Sequence, residues 1–206
     1  GATCTVLNNW NTYNNRFTHA DIHYLGFFGN NLYCGSDGGI YQSSDNGGTF
    51  VEKTGAAQIG QIYKLDVAKQ TASKIVAGFQ DNGGFAYKNN LWKDYHGGDG
   101  MDNAIDPTNS NMYYGFLYYG ETLFISNNGG SSLTSTVGAP SGESGNWVTP
   151  LKANSAGELF AGFSQLYRLN GSAWVQQSVS GLSGSNLELI AIDPSDDNIM
   201  YVVNGG

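Results

Sequence analysis

Residues 32–50 read Leu32-Tyr33-Cys34-Gly35-Ser36-Asp37-Gly38-Gly39-Ile40-Tyr41-Gln42-Ser43-Ser44-Asp45-Asn46-Gly47-Gly48-Thr49-Phe50. Short apolar and aromatic runs, Leu32 to Cys34, Gly39 to Gln42 and Thr49 to Lys53, are broken by Asp-Gly and Asn-Gly turn sequences. This is strand chemistry interrupted at hairpin intervals. The upstream run from Ile22 to Phe28 supplies a fourth strand. Within the last eight residues the Asp45 side chain can accept from N–H groups of its own turn, Gly47 tolerates a positive φ, and Phe50 can anchor the hairpin.

The pattern recurs. An apolar tetrad, usually closing on Gly, stands at Leu32-Tyr33-Cys34-Gly35, Ile75-Val76-Ala77-Gly78, Met112-Tyr113-Tyr114-Gly115 and Leu159-Phe160-Ala161-Gly162, and Met200-Tyr201-Val202-Val203 ends the series. The last residues of these tetrads lie 43, 37, 47 and 41 apart. A second series of bulky strand-opening residues, Cys4, Phe50, Trp92, Leu133 and Trp174, is spaced 46, 42, 41 and 41. Four strands in a repeat of about 42 residues predict an all-β fold, a β-propeller of four-stranded antiparallel blades. Ala104-Ile105-Asp106-Pro107 and Ala191-Ile192-Asp193-Pro194 end first strands two repeats apart, each with a Pro turn.

The expected organisation is one propeller domain over residues 1–206: the end of one blade in 1–18, blades at 19–56, 57–97, 98–140 and 141–182, and the start of another in 183–206. Gly1-Ala2-Thr3-Cys4-Thr5 reads as the last strand of a preceding blade. Blades cut at both ends would leave open sheet edges. The expectation is therefore an incomplete ring whose remaining blades belong to the same, longer polypeptide.

Composition narrows the partners. Only 13% of residues are charged, while Gly numbers 30 and Tyr 13, a balance suited to turns and aromatic strands. A net charge of −8 with nine Lys and Arg argues against nucleic acid. No apolar run approaches the roughly 18 residues of a membrane helix. Acidic, Lys-poor, Tyr- and Asn-rich chemistry points to a secreted or cell-surface setting. Cys4 and Cys34 are the only thiols, which permits a single bridge but supplies no zinc spacing.

Ser43-Ser44-Asp45-Asn46-Gly47-Gly48-Thr49-Phe50 resembles the Asp-box (BNR) motif S-x-D-x-G-x-T-W/F, and Ser126-Asn127-Asn128-Gly129-Gly130-Ser131-Ser132-Leu133 is a degenerate copy. The structural positions are Ser43, Asp45, Gly47, Thr49, Phe50, Ser126, Asn128 and Gly130. The order His-x-Asp-x-His, Asp-Gly-Gly-x-Tyr, Asp box, Gln-Asp-Asn-Gly and Gly-Gly-Asp-Gly is similar to secreted bacterial Asp-box propellers, related to sortilin-type and xyloglucanase-type propellers. The Asp box itself reads as a folding device.

In a propeller the loops from the fourth strand to the next first strand (D–A) and from the second to the third (B–C) share one face. His19, Asp21, His23, Gln80, Asp81, His96, Asp102, Tyr118 and Tyr119 fall in or beside these loops and form the expected ligand-binding set. Strand alternation would place His19, Asp21 and His23 on one side, where they could hold Ca or another divalent cation.

Three function classes remain open. The first is an extracellular binding or adhesion module for a glycan or protein surface. The second is a glycoside hydrolase: Ser36-Asp37-Gly38-Gly39-Ile40-Tyr41 is similar to the T-D-x-G-G-x-Y segment of xyloglucan-cleaving propellers, which implies Asp37 as a catalytic carboxylate; in that family the partner acid comes from a second propeller, and here Asp99, on another blade, is the candidate partner. The third is a structural or assembly propeller without ligand. A sialidase lacks its cationic clamp, because Arg16 and Arg168 are the only arginines.

Overall fold

The computed structural model describes residues 2–55 and 60–205. Gly1 and Gly206, the expected outer bounds of the domain, and the expected blade boundary at 56 and 57 lie outside the described residues. The described residues form five antiparallel sheets and a single 3-10 turn at Tyr118–Gly120. Among the described residues no helix is long and apolar enough to cross a membrane. The chain divides into two compact units, Gly1–Gly60 and Gln61–Gly206.

The first unit holds one sheet in the order β1 (Ile22–Phe28), β2 (Asn31–Ser36), β3 (Gly39–Ser43), β4 (Val51–Glu52). Leu25 pairs with Cys34, Cys34 with Tyr41 and Tyr41 with Glu52. Leu32, Cys34, Tyr41 and Ser43 are buried, the alternation expected of strands with one covered face. The first blade-end strand expected around Cys4 is not formed. Residues 2–8 lie outside any strand, and only an isolated parallel bridge joins Asn9 to Phe17. An extended segment becomes a strand only by pairing, and no described strand pairs with this one. Cys4 is exposed, Cys34 is buried, and both are free thiols.

The second unit contains three four-stranded sheets and one pair. They are β5 (Ile62–Val67) to β8 (Leu91–His96) through β6 (Ile75–Phe79) and β7 (Gly83–Lys88); β9 (Gly100–Ile105) to β12 (Ser135–Gly138) through β10 (Tyr113–Leu117) and β11 (Thr122–Ser126); β13 (Leu151–Ala153) to β16 (Ala173–Gln176) through β14 (Leu159–Gly162) and β15 (Leu166–Asn170); and β17 (Leu187–Ile192) with β18 (Met200–Asn204). Each sheet keeps sequence order, first strand to last. First strands lie against first strands: β5 contacts β9, β9 contacts β13 and β13 contacts β17. These are the blades of a β-propeller.

Side chains tie the first strands to one another. Asp66 accepts a hydrogen bond from the Ile105 N–H at 2.8 Å, and Asp102 accepts one from the Leu151 N–H at 3.1 Å. Between sheets lie Met101, Phe116, Leu123, Leu151 and Phe163, all fully buried, and a further cluster of Phe160, Leu166, Leu187 and Ile190. Two of the glycines that close the tetrads, Gly78 and Gly162, owe their place to this packing. A Cβ at Gly78 would collide with the carbonyl oxygens of Met101 and Gly100 in the next sheet, and one at Gly162 would meet the Leu187 Cβ at 2.8 Å. In β18 the corresponding residue is Val203, whose side is exposed.

Candidate functional site

In each sheet the first strand begins, and the second ends, at the same edge, so the D–A and B–C loops share it. The C–D turns lie at the other edge. There Ser43 Oγ donates to Asp45 Oδ1 (2.7 Å) and accepts from Gly47 N (2.8 Å), while Asp45 accepts from Thr49 N and Oγ1 at 2.8 Å each. These donors hold the Asp45 carboxyl down at about 2. Ser126, Asn128, Gly130 and Ser132 repeat the arrangement, with Ser126 Oγ accepting from Gly130 N at 3.0 Å and Asn128 Oδ1 from Ser132 N at 3.1 Å. The second blade turns instead through Asn89 and Asn90, both at positive φ, in two residues.

At the loop edge of the first unit, strand alternation does not place His19, Asp21 and His23 together. The strand begins only at Ile22, and Asp21 takes a left-handed φ of 54°, which breaks the two-residue period before His19. His23 is the extra residue of a bulge, since Ile22 pairs with Ser36 and Tyr24 with Gly35. The bulge turns its imidazole to Asp37, with Nε2 2.7 Å from Oδ1. Asp21 brings a carboxylate oxygen within 4.8 Å of one on Asp37. The His19 ring lies over Gly38, where a Cβ would strike it, and its Nδ1 is 3.2 Å from the Ala20 carbonyl. The expected metal set of His19, Asp21 and His23 therefore does not converge; Asp37, not His19, meets the other two.

At the loop edge of the second unit the expected residues separate into two groups. Gln80-Asp81-Asn82 make the B–C turn, with Asp81 at φ 60°. Asp99 accepts from the Asp81 N–H at 2.8 Å, which fixes this turn to the connection before β9. Asn82 Nδ2 donates to the Gln80 carbonyl at 2.9 Å. His96 and Asp102 instead belong to the interior. The imidazole stacks on Phe124 at 4.1 Å and 9°, and burial lowers it to about 4. Burial also pushes the Asp102 carboxyl up, against the N–H groups of Leu151 and Asn103 that hydrogen-bond it. Their expected place on a ligand-facing surface is corrected: both are buried where sheets pack.

Tyr118 and Tyr119 do stand at the edge, and they are joined by two residues that sequence reasoning missed. Trp147, in the connection before β13, stacks on Tyr118 at 5.5 Å and 4° and meets Tyr119 edge-on at 5.3 Å. Its indole N–H donates to the Tyr63 hydroxyl at 3.0 Å, and that hydroxyl donates to Gln80 Oε1 at 3.1 Å. Tyr63 is the bulged residue of β5, the counterpart of His23 in β1. The available signal was weak: a lone Trp in a Gly-, Ser- and Pro-rich connection, and an aromatic 40 residues after His23. Carboxamides, carboxylates and three exposed or half-exposed rings thus share one edge of three successive sheets.

No protein-family model and no curated protein matches the chain. Solved structures do. The GH74 enzyme of Niastella koreensis superposes with a TM-score of 0.54 at 19% identity over 95% of this chain, and an ancestral GH74 enzyme with 0.53 at 15% over 96%. The β-propeller domain of Myceliophteria thermophila Cps50 (Swd1) gives 0.54 at 10% over 91%. The chain spans 35% and 29% of the two GH74 chains and 63% of the Cps50 one. At identities this low the likeness is one of fold alone, and that fold is the β-propeller.

Proposed function

We propose that the chain is part of one extracellular β-propeller domain that binds a glycan or a protein surface through its D–A and B–C loop edge. The observation that carries this reading is the use of the two carboxylates a hydrolase would need. Asp37 is engaged by the His23 imidazole and Asp99 by the Asp81 backbone N–H. Both hold loops in place. At the loop edge of the second unit Trp147 and Tyr119 leave 40% and 41% of their surfaces open. Aromatic rings on shaped loops suit recognition, and the acidic, Lys-poor surface suits a neutral or cationic ligand over a polyanion.

A panel of immobilised neutral and charged glycans, probed with the wild-type chain, tests the binding reading. We expect saturable binding and no release of reducing ends. Hydrolysis of β-glucan or xyloglucan that disappears in both Asp37→Asn and Asp99→Asn would replace the module with an enzyme. The GH74 likeness in fold makes that assay the necessary control.

A further inference from the structure

We infer that Tyr118, Tyr119 and Trp147 form a stacking subsite for a neutral pyranose ring, with Tyr63 as the residue that positions the indole; this rests on the binding reading above. A surface tryptophan ordinarily trades rotamers with little cost. Trp147 is held at three points: one ring face lies parallel to Tyr118, its N–H is bound by Tyr63, and its carbonyl accepts from the Tyr119 N–H at 3.2 Å. Its open surface is therefore presented in a fixed plane, which lowers the ordering cost of a bound ring.

Backbone strain points to the same place. Tyr119 sits at φ 55°, ψ 12°, a conformation that a bulky side chain enters at a cost of about 1 kcal/mol. Gly120 follows at φ 65°. A turn of this shape accommodates Gly or Asn without strain, yet here it carries an aromatic that is 41% exposed. The fold tolerates the strain and projects the ring into solvent beside Trp147. Gly145 N–H to the Tyr119 carbonyl, 2.8 Å, fastens this turn to the Trp147 connection.

The surrounding chemistry selects the ligand class. The connection leading to Trp147 is Pro140-Ser141-Gly142-Glu143-Ser144-Gly145-Asn146, without a cation to hold a carboxylate or sulfate. Gln80 presents its amide oxygen to Tyr63, and its amide N–H groups have no partner among the described residues. Two parallel rings, Tyr118 and Trp147, with Tyr119 edge-on to both and carboxamides and hydroxyls at the border, complement a pyranose, which has a C–H face and a rim of hydroxyl groups.

The test is titration of the wild-type chain with cellohexaose and with an oligogalacturonate of equal length, followed by intrinsic tryptophan emission and calorimetry. We expect cellohexaose to bind and the oligogalacturonate not to. Trp147→Ala is expected to weaken cellohexaose about tenfold or more, and Trp147→Phe to recover part of it. Tyr63→Phe, which keeps the ring and loses the hydroxyl, is expected to weaken it severalfold with unchanged circular dichroism. A wild-type chain that binds some glycan while Trp147→Ala and Tyr63→Phe bind it equally well would overturn the subsite and leave the binding reading standing. No binding of any glycan, or binding to a protein alone, would overturn the ligand class itself.

Discussion

His96 is a residue whose surroundings limit the pH range of the fold. It lies 4.1 Å from the Phe124 ring and 4.7 Å from Tyr95, with Nδ1 3.0 Å from the Gly97 carbonyl and Nε2 buried without a partner. Burial lowers its affinity for a proton to about 4, opposed only by the Gly97 contact, whereas the unfolded chain takes that proton near 6.5. The folded form thus binds fewer protons, and stability present above pH 6.5 is lost as pH falls toward 4, by about 3 kcal/mol in all. Thermal melts at pH 7, 5.5 and 4 should show this loss, and His96→Phe should flatten it. The Ser hydroxyls under the C–D turns give a second expectation. Ser43 and Ser126 are buried and each satisfies a glycine N–H, so Ser43→Ala and Ser126→Ala should each cost about 1 to 2 kcal/mol in denaturant titrations. These turns were legible in the sequence because the side-chain bonds of Ser43, Asp45, Ser126 and Asn128 that shape them span four residues or fewer. His96 and Asp102 were misread as ligand-facing because their environment arrives from far along the chain; Leu151, which bonds Asp102, is 49 residues away. Trp147 and Tyr63 meet across 84 residues, a separation no local pattern encodes.

Strands carry their own signals at two levels of reach. Alternation and turn chemistry marked Ile22 to Phe28 as a strand with the observed limits, since pleat and hairpin are local properties. The bulges that open β1, β5 and β17 left no such mark, and one of them upset the expected convergence of His19, Asp21 and His23. A bulge depends on how one strand meets the next, and a single strand sequence does not report that. The tetrad glycines are the intermediate case: their period was plain, their cause was not. Gly78 packs against backbone atoms of Gly100 and Met101, which cannot swing aside as a side chain would. Gly78→Ala should therefore destabilise the second unit by about 3 kcal/mol. At Gly138, the end of β12, a Cβ would meet nothing within 4 Å, and Gly138→Ala should stay within about 0.5 kcal/mol of wild type. Equal losses in the two variants would show that the sheets do not approach as closely as these contacts require.

At the scale of the molecule, the repeat leaves one pair of strands without the cover that its predecessors have. In β14 the residues Leu159-Phe160-Ala161-Gly162 are all buried, Phe160 against Leu187 and Ile190 of the following first strand. In β18 the same tetrad reads Met200-Tyr201-Val202-Val203. Met200 and Val202 pack on the Phe160 cluster, while Tyr201 is 65% and Val203 48% exposed. Among the described residues no strand pairs with the outer edge of β18. An open edge beside an apolar face is a template for another strand, and a two-stranded ribbon alone is marginal. Two consequences follow for this chain studied by itself. Amide hydrogens of β18 should exchange well before those of β10 and β14, which lie between partners on both sides. The chain should also self-associate at concentrations on the order of 100 μM, and Tyr201→Lys with Val203→Lys should reduce this without lowering the melting temperature, because neither side chain contributes to the packed face. Sedimentation velocity decides the matter. A wild type that stays monomeric across that range, with β18 protected like β14, would mean that the exposed face is not adhesive and that a blade of two strands is stable on this scaffold.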